Sequence, residues 1–222
     1  MISKILRRLP FTMLLLVMLS LVALLTETHN AMLSNAWLAR LGFAPYDLWE
    51  LRFERLFTSA VVTYGGRVFW EAVFMILLSV GLAEWRTGTR RAFLTFIGIH
   101  LLVLTIESLL LALPLRIWGG AIGEAASLAR DVGPSAGYFA CLGLSCASLT
   151  GKWSWISLWL ILAGLVAAFF LPPGSGEDIL VKTFADIAHV LAFPLGWLSL
   201  RIGPAPKERF DKDSRQAARP VE

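Results

Sequence analysis

Six apolar runs dominate the chain, at about 10–26, 67–84, 92–113, 135–150, 154–172 and 179–201, and none is broken by more than a few polar residues. About 20 apolar residues carry a helix across a bilayer, so these runs predict an all-α polytopic membrane protein. The composition agrees: 57% of the 222 residues are hydrophobic and 16% are charged, against about 25% charged in soluble domains. Little chain remains for a separate soluble domain. The expected organisation is a cytoplasmic N-terminus at 1–9, one six-helix membrane domain at 10–202 and a polar, disordered cytoplasmic tail at 203–222.

The net charge of +4 arises from Lys and Arg at the ends of apolar runs, without a basic stripe or module, which excludes nucleic acid as a partner. Lys4, Arg7 and Arg8 precede the first run, Arg86, Arg90 and Arg91 separate the second from the third, Lys152 separates the fourth from the fifth, and Arg201 opens the basic tail. The positive-inside rule therefore predicts that both termini are cytoplasmic, and the expected location is a bacterial inner (cell) membrane. The first run has the charge profile of a signal peptide. A cut after Ala31 would, however, put His29 where a small residue is needed, so the run is read as a retained helix. The outer segment 27–66 is too long for a simple connector. It mixes Trp37, Tyr46, Trp49 and Phe53 with Arg52, Glu54 and Arg55, as expected of an amphipathic loop lying at headgroup level. Cys141 and Cys146, five apart in one run, point to different helix faces and form neither a CxxC motif nor a disulfide framework.

Ionisable groups at membrane depth are costly, and each is a functional candidate. They are Glu71, His100, Glu107, Asp186 and His189, joined by the hydroxyl of Ser135. No spacing among them suggests a metal or a cofactor. Ser135 lies in Gly133-Pro134-Ser135-Ala136-Gly137, a pattern that also suits an ordinary helix start, since Pro is favoured in a first turn and Ser caps helices. Depth adds a second observation. Ser135 should lie roughly 21 Å above Leu149, and His189 roughly 18 Å above Arg201, which puts both in the outer half of the bilayer at nearly one height. A serine hydroxyl needs a base to take its proton, and histidine is the usual one near neutral pH. Small residues recur every four positions beside each: Gly133, Gly137 and Cys141 near the serine, Ala188, Ala192 and Gly196 near the histidine. Such stripes let membrane helices approach backbone to backbone. Asp186, one turn before His189, reads as a hydrated helix-start acid or as a group that tunes the ring. His100 and Glu107, seven apart on one helix face, read as a polar contact between helices, or as the core of a carrier or proton pathway.

Together these residues resemble the rhomboid family of intramembrane serine proteases over roughly 49–202. Arg55-Leu56-Phe57-Thr58 is similar to the family's Arg-Leu-x-Thr before the second helix, and Glu84-x-x-x-Gly88 to the acid and glycine that close it. Gly133-Pro134-Ser135-Ala136-Gly137, followed by Ala140 and Gly143, resembles the nucleophile motif, and Asp186-x-x-His189 with Gly196 the last helix. The resemblance implies a six-transmembrane-helix rhomboid-like bundle with a water-filled cavity open to the outside. It also implies a Ser135–His189 dyad without a third carboxylate, and cleavage of single-pass membrane proteins, held in the lipid bilayer, near their outer end. Gly133, Ala136 and Gly137 would then frame the oxyanion side. The chain departs from the family at Val68 and Ala72, where members place a His and an Asn that help hold the oxyanion, and at Ala136 and Ala192, where glycine is usual. Glu71 adjoins the vacant position and could donate there only if protonated. A rhomboid-like pseudoprotease that binds transmembrane helices without cutting them is the alternative that these departures leave open.

Overall fold

The computed structural model describes residues 8–173 and 178–202; most of the N-terminal segment and the expected tail at 203–222 lie outside the described residues. The described chain is all-α, with extended pairing only at two isolated bridges, Met32 with Gly65 and Phe43 with Asp131. Helices form at all six apolar runs: α1 (Pro10–Leu25), α5 (Arg67–Thr87), α6 (Thr89–Trp118), α8 (Ser135–Ala147), α9 (Lys152–Phe169) and α10 (Ile179–Ile202). Between α1 and α5 come three short helices, α2 (Asn35–Leu41), α3 (Pro45–Trp49) and α4 (Glu54–Thr58), and α7 (Gly120–Leu128) folds back against the end of α6.

Four helices, α5, α6, α9 and α10, are long and apolar enough to cross a membrane; α1 and α8 are shorter apolar helices. The fourth run therefore yields less helix than expected. Its last residues turn away after Ala147, and Gly151 takes a positive φ of 58° before α9 begins. The third run yields more, continuing through a widened π turn at Glu107–Ala112 and Pro114 as far as Trp118. A π turn is the kind of local rewinding that absorbs a proline and recurs at functional sites.

Packing is organised around α8. Its residues enter three apolar clusters: Cys141 and Leu144 join Phe11, Leu15, Phe69, Ile76 and Phe96; Ala136 and Ala140 join Ile99, Val103, Ala188 and Ala192; Cys146 and Ala147 join Leu158, Phe193 and Trp197. A helix enclosed on every side must carry small residues where neighbours come closest. A Cβ at Gly143 would stand 2.0 Å from the Phe193 carbonyl oxygen, and one at Gly196 would stand 1.9 Å from that of Ala140. Helices α8 and α10 thus touch backbone to backbone. The two cysteines face different clusters and are free, as expected.

Helix α1 is secured differently. Pro10 has no N–H and Leu9 offers no capping side chain, so the first turn needs a partner from elsewhere. Glu84, buried near the end of α5, accepts from Phe11 N at 3.0 Å, Thr12 N at 2.8 Å and Thr12 Oγ1 at 2.7 Å. A carboxylate at a helix N-terminus gains both charge-assisted hydrogen bonds and a favourable macrodipole. Arg8 lies 5.2 Å above the Trp85 ring, so the start of α1 and the end of α5 share one end of the bundle.

Exchange of Gly196 for Ala tests the α8–α10 contact. The added methyl has backbone on its far side and nowhere to go, so Gly196→Ala is expected to destabilise by about 2 kcal/mol or more. Gly164→Ala, on α9 with open space at the same point, should be neutral or stabilising by about 0.5–1 kcal/mol. Thermal unfolding of both variants in one detergent reads the difference.

Candidate active site

Segment 27–66, read as an amphipathic loop at headgroup level, folds into a frame built on a buried charge. Asp47 is fully buried. Its carboxylate accepts from Ala44 N at 2.9 Å and pairs with Arg130 Nη1 at 2.5 Å, Arg55 Nη1 at 3.4 Å and Arg52 Nη1 at 3.7 Å. Isolated in an apolar interior that carboxylate would cost several kcal/mol, and three guanidinium groups offset the cost. Arg55 also donates to Ala39 O, Thr58 Oγ1 to Leu41 O, and His100 Nε2 to Leu56 O at 3.1 Å. The Arg-Leu-x-Thr stretch therefore knits the frame to α6. Met32, Leu51, Phe53 and Phe57 remain exposed on it, so one face keeps the apolar character that the sequence suggested.

The frame holds the extended stretch that leads into Ser135. Phe43 and Asp131 exchange backbone hydrogen bonds at 3.0 and 2.9 Å, Arg130 Nη1 donates to Gly42 O, Tyr64 Oη donates to Arg130 O, and Gly133 N donates to Ser59 O at 2.9 Å. Gly133 has a φ of 153°, which glycine accepts at no steric cost. Ser135 then opens α8, whose first turn has no side-chain cap. The N–H groups of Ser135, Ala136 and Gly137 belong to that uncapped turn and point away from the helix, where an anion is favoured.

Of the proposed site residues, Ser135 is half-buried, Ala136 is buried in the cluster with Ala188 and Ala192, and Gly137 is buried against α6, where a Cβ would stand 2.6 Å from the Phe96 ring. The stripe beside the serine is thus corrected. Gly137 and Cys141 face α6, with Cys141 Sγ directed at Ala92 O, while Ala136, Ala140 and Gly143 meet α10. The stripe on α10, Ala188, Ala192 and Gly196, packs as read from the sequence.

His189 lies on α10 beside this contact. Its ring packs on Phe139, one turn past Ser135, with centroids 4.5 Å apart and planes tilted by 42°. Its Nε2 is sealed from solvent and has no hydrogen-bond partner, so the direct bond to Ser135 is not formed. The Ser135 hydroxyl instead lies over Gly133, 3.7 Å from where a Cβ would stand. Asp186 is not a free hydrated acid: it pairs with Lys182, whose ammonium also reaches Ala168 O at 3.3 Å and so ties α10 to the end of α9. Phe139 and Lys182 escaped the sequence reading, although both stand four residues from a residue already singled out, Ser135 and Asp186 respectively.

The positions on α5 that the resemblance would place beside an oxyanion carry no side-chain donor. Ala72 is buried in the apolar cluster with Phe11, Phe69 and Cys141, Val68 is exposed, and Glu71 forms an exposed ion pair with Arg67 at 2.5 Å. Glu107 and His100 are buried, each with one polar atom lacking a partner. No group of three or more His, Cys, Asp or Glu among the described residues could hold a metal. Comparison with family models, characterised proteins and solved structures yields no match to this chain.

Because Ala72 is packed among apolar side chains, Ala72→Asn should bury an amide without a partner and cost about 1–3 kcal/mol. A lowered unfolding temperature in detergent is the expected result. Unchanged stability would mean that this face of α5 opens onto water.

Proposed function

We propose that this chain is an integral, multi-pass membrane protein and an intramembrane serine protease in which Ser135 is the nucleophile and His189 the general base. The observation that carries the reading is the α8–α10 contact, which joins the turn bearing Ser135 to the turn bearing His189 through Ala136, Ala188 and the Phe139–His189 ring pair. A histidine with an unpartnered, sealed Nε2, on a helix packed against one that starts uncapped at a serine, is an unusual cost for a chain to carry for packing alone. Catalytic hydrogen bonds are commonly long or unformed before substrate binds.

The length of α8 supports the same reading. Its 13 residues span about 20 Å, some 10 Å less than the hydrocarbon core. Ser135 then begins below the outer surface. The irregular backbone at 129–134 would lie at membrane depth, which is tolerable only where it is enclosed by protein or lines water. Water is the second substrate of a hydrolase.

In the reaction, His189 takes the Ser135 proton as Oγ attacks the scissile carbonyl. The oxyanion is met by the N–H groups of the first turn of α8 and by that helix's positive end, with no side-chain donor assisting. His189 then passes its proton to the leaving amine, and water, deprotonated by the same ring, hydrolyses the acyl-enzyme. Phe139 holds the orientation of the imidazole, one part of what a carboxylate does in a triad. Single-pass membrane proteins, lying in the same bilayer, are the substrates this geometry can reach.

The second reading, a rhomboid-like pseudoprotease that binds transmembrane helices, is favoured by one observation: Ala72 and Val68 supply no donor, and each missing donor typically costs 10²–10³ in rate. Purified protein mixed with a membrane-anchored substrate separates the two. Cleavage that falls about 10³-fold or more in both Ser135→Ala and His189→Ala is expected. Equal cleavage by wild type and Ser135→Ala would eliminate the protease reading, and binding without cleavage by folded wild type would establish the second.

A further inference from the structure

A cleft of about 570 Å³ opens at the end of the bundle opposite Ser135, between the ends of α5, α8 and α10. Leu82, Trp85 and Leu200 form apolar walls; Arg86, Thr87 and Ser148 line the polar part. The walls continue the apolar surface of the helices, since Leu82 and Trp85 are exposed along the outside of α5. The cleft is therefore open both to the surroundings of the helices and to the polar zone at their ends.

Its charge is unbalanced. Arg86 enters it directly, Arg8 stacks over Trp85 at 5.2 Å, and Arg201, the residue after Leu200, lies 4.6 Å above the Trp197 ring. None of the three guanidinium groups is paired with an acid among the described residues. The nearest negative groups are the buried Glu84, already bound to the start of α1, and the three helix C-termini, each worth about half a charge. With the positive end of α1 included, a surplus of about one positive charge remains at this end of the bundle.

We infer that this cleft binds an anionic phospholipid, its phosphate on Arg86 and one acyl chain along Leu82, Trp85 and Leu200. A guanidinium pairs bidentately with phosphate, and basic pockets between helices at a membrane surface suit anionic headgroups. The apolar walls select a lipid over a free anion, because an inorganic phosphate would leave them uncovered. The site is independent of the Ser135–His189 chemistry and does not rest on it.

The test uses the full chain in detergent, titrated with phosphatidylglycerol, with the bound fraction read by native mass spectrometry. Arg86→Gln should weaken binding about tenfold, Arg86→Lys should weaken it less because the charge remains while the bidentate fork is lost, and Arg90→Gln, at an exposed arginine of the same end, should leave it unchanged. Phosphatidylcholine and inorganic phosphate should not compete. Equal losses in Arg86→Gln and Arg90→Gln would reduce the effect to diffuse surface charge and overturn the site. Competition by inorganic phosphate would overturn the lipid assignment. Full retention of lipid by folded Arg86→Gln would also overturn it.

Discussion

The bundle depends on one close approach, that of α8 to α10. Between helices bathed in an apolar medium there is little hydrophobic gain from association, so contact must come from packing itself. Gly143 against Phe193 and Gly196 against Ala140 leave no room for a single carbon. That constraint makes α8 a helix of small residues enclosed by α5, α6, α9 and α10, and it sets the height of everything α8 carries. Ser135 sits at one end because the helix can start only where the frame on Asp47 delivers the chain.

Two devices hold the rest to this centre. Glu84 supplies the missing cap of α1 from the end of α5, so the first helix is fastened by hydrogen bonds as well as by Leu15 and Leu19. On the other side, Asp47 gathers Arg130, Arg55 and Arg52, and so locks residues 130–133 against segment 27–66. Removing a partner from either cluster would strand a buried charge, which is the expensive way to lose such an interaction.

The positions of the six helices and the packing stripe of α10 could be read from the sequence, because apolar run length and period-four small residues report directly on helix and contact. The stripe on α8 could not. Gly133, Gly137 and Cys141 share their period with Ala136 and Ala140, and in a helix buried all round both sets face a neighbour; only the partner distinguishes them. Asp47 was invisible for a different reason, since Arg130 stands 83 residues away and a loop rich in aromatics and arginines looks alike whether it lies on lipid or folds on a carboxylate. Asp186 was misread because the i,i+4 lysine was passed over. The matched depth of Ser135 and His189 pointed to two helices that do pack together, but Phe139, whose ring meets His189, carries no sequence signal of that contact.

The proposed chemistry turns on His189 activating Ser135 across the α8–α10 contact. A fluorophosphonate reports this in one step: the activated hydroxyl attacks phosphorus, fluoride leaves, and the adduct mass stays on the residue. Peptide mapping by tandem mass spectrometry of the labelled, folded chain should find the adduct on Ser135, with His189→Ala folded but unlabelled. Labelling of Ser135 at the same rate in wild type and His189→Ala, or no labelling of folded wild type at all, would contradict the account.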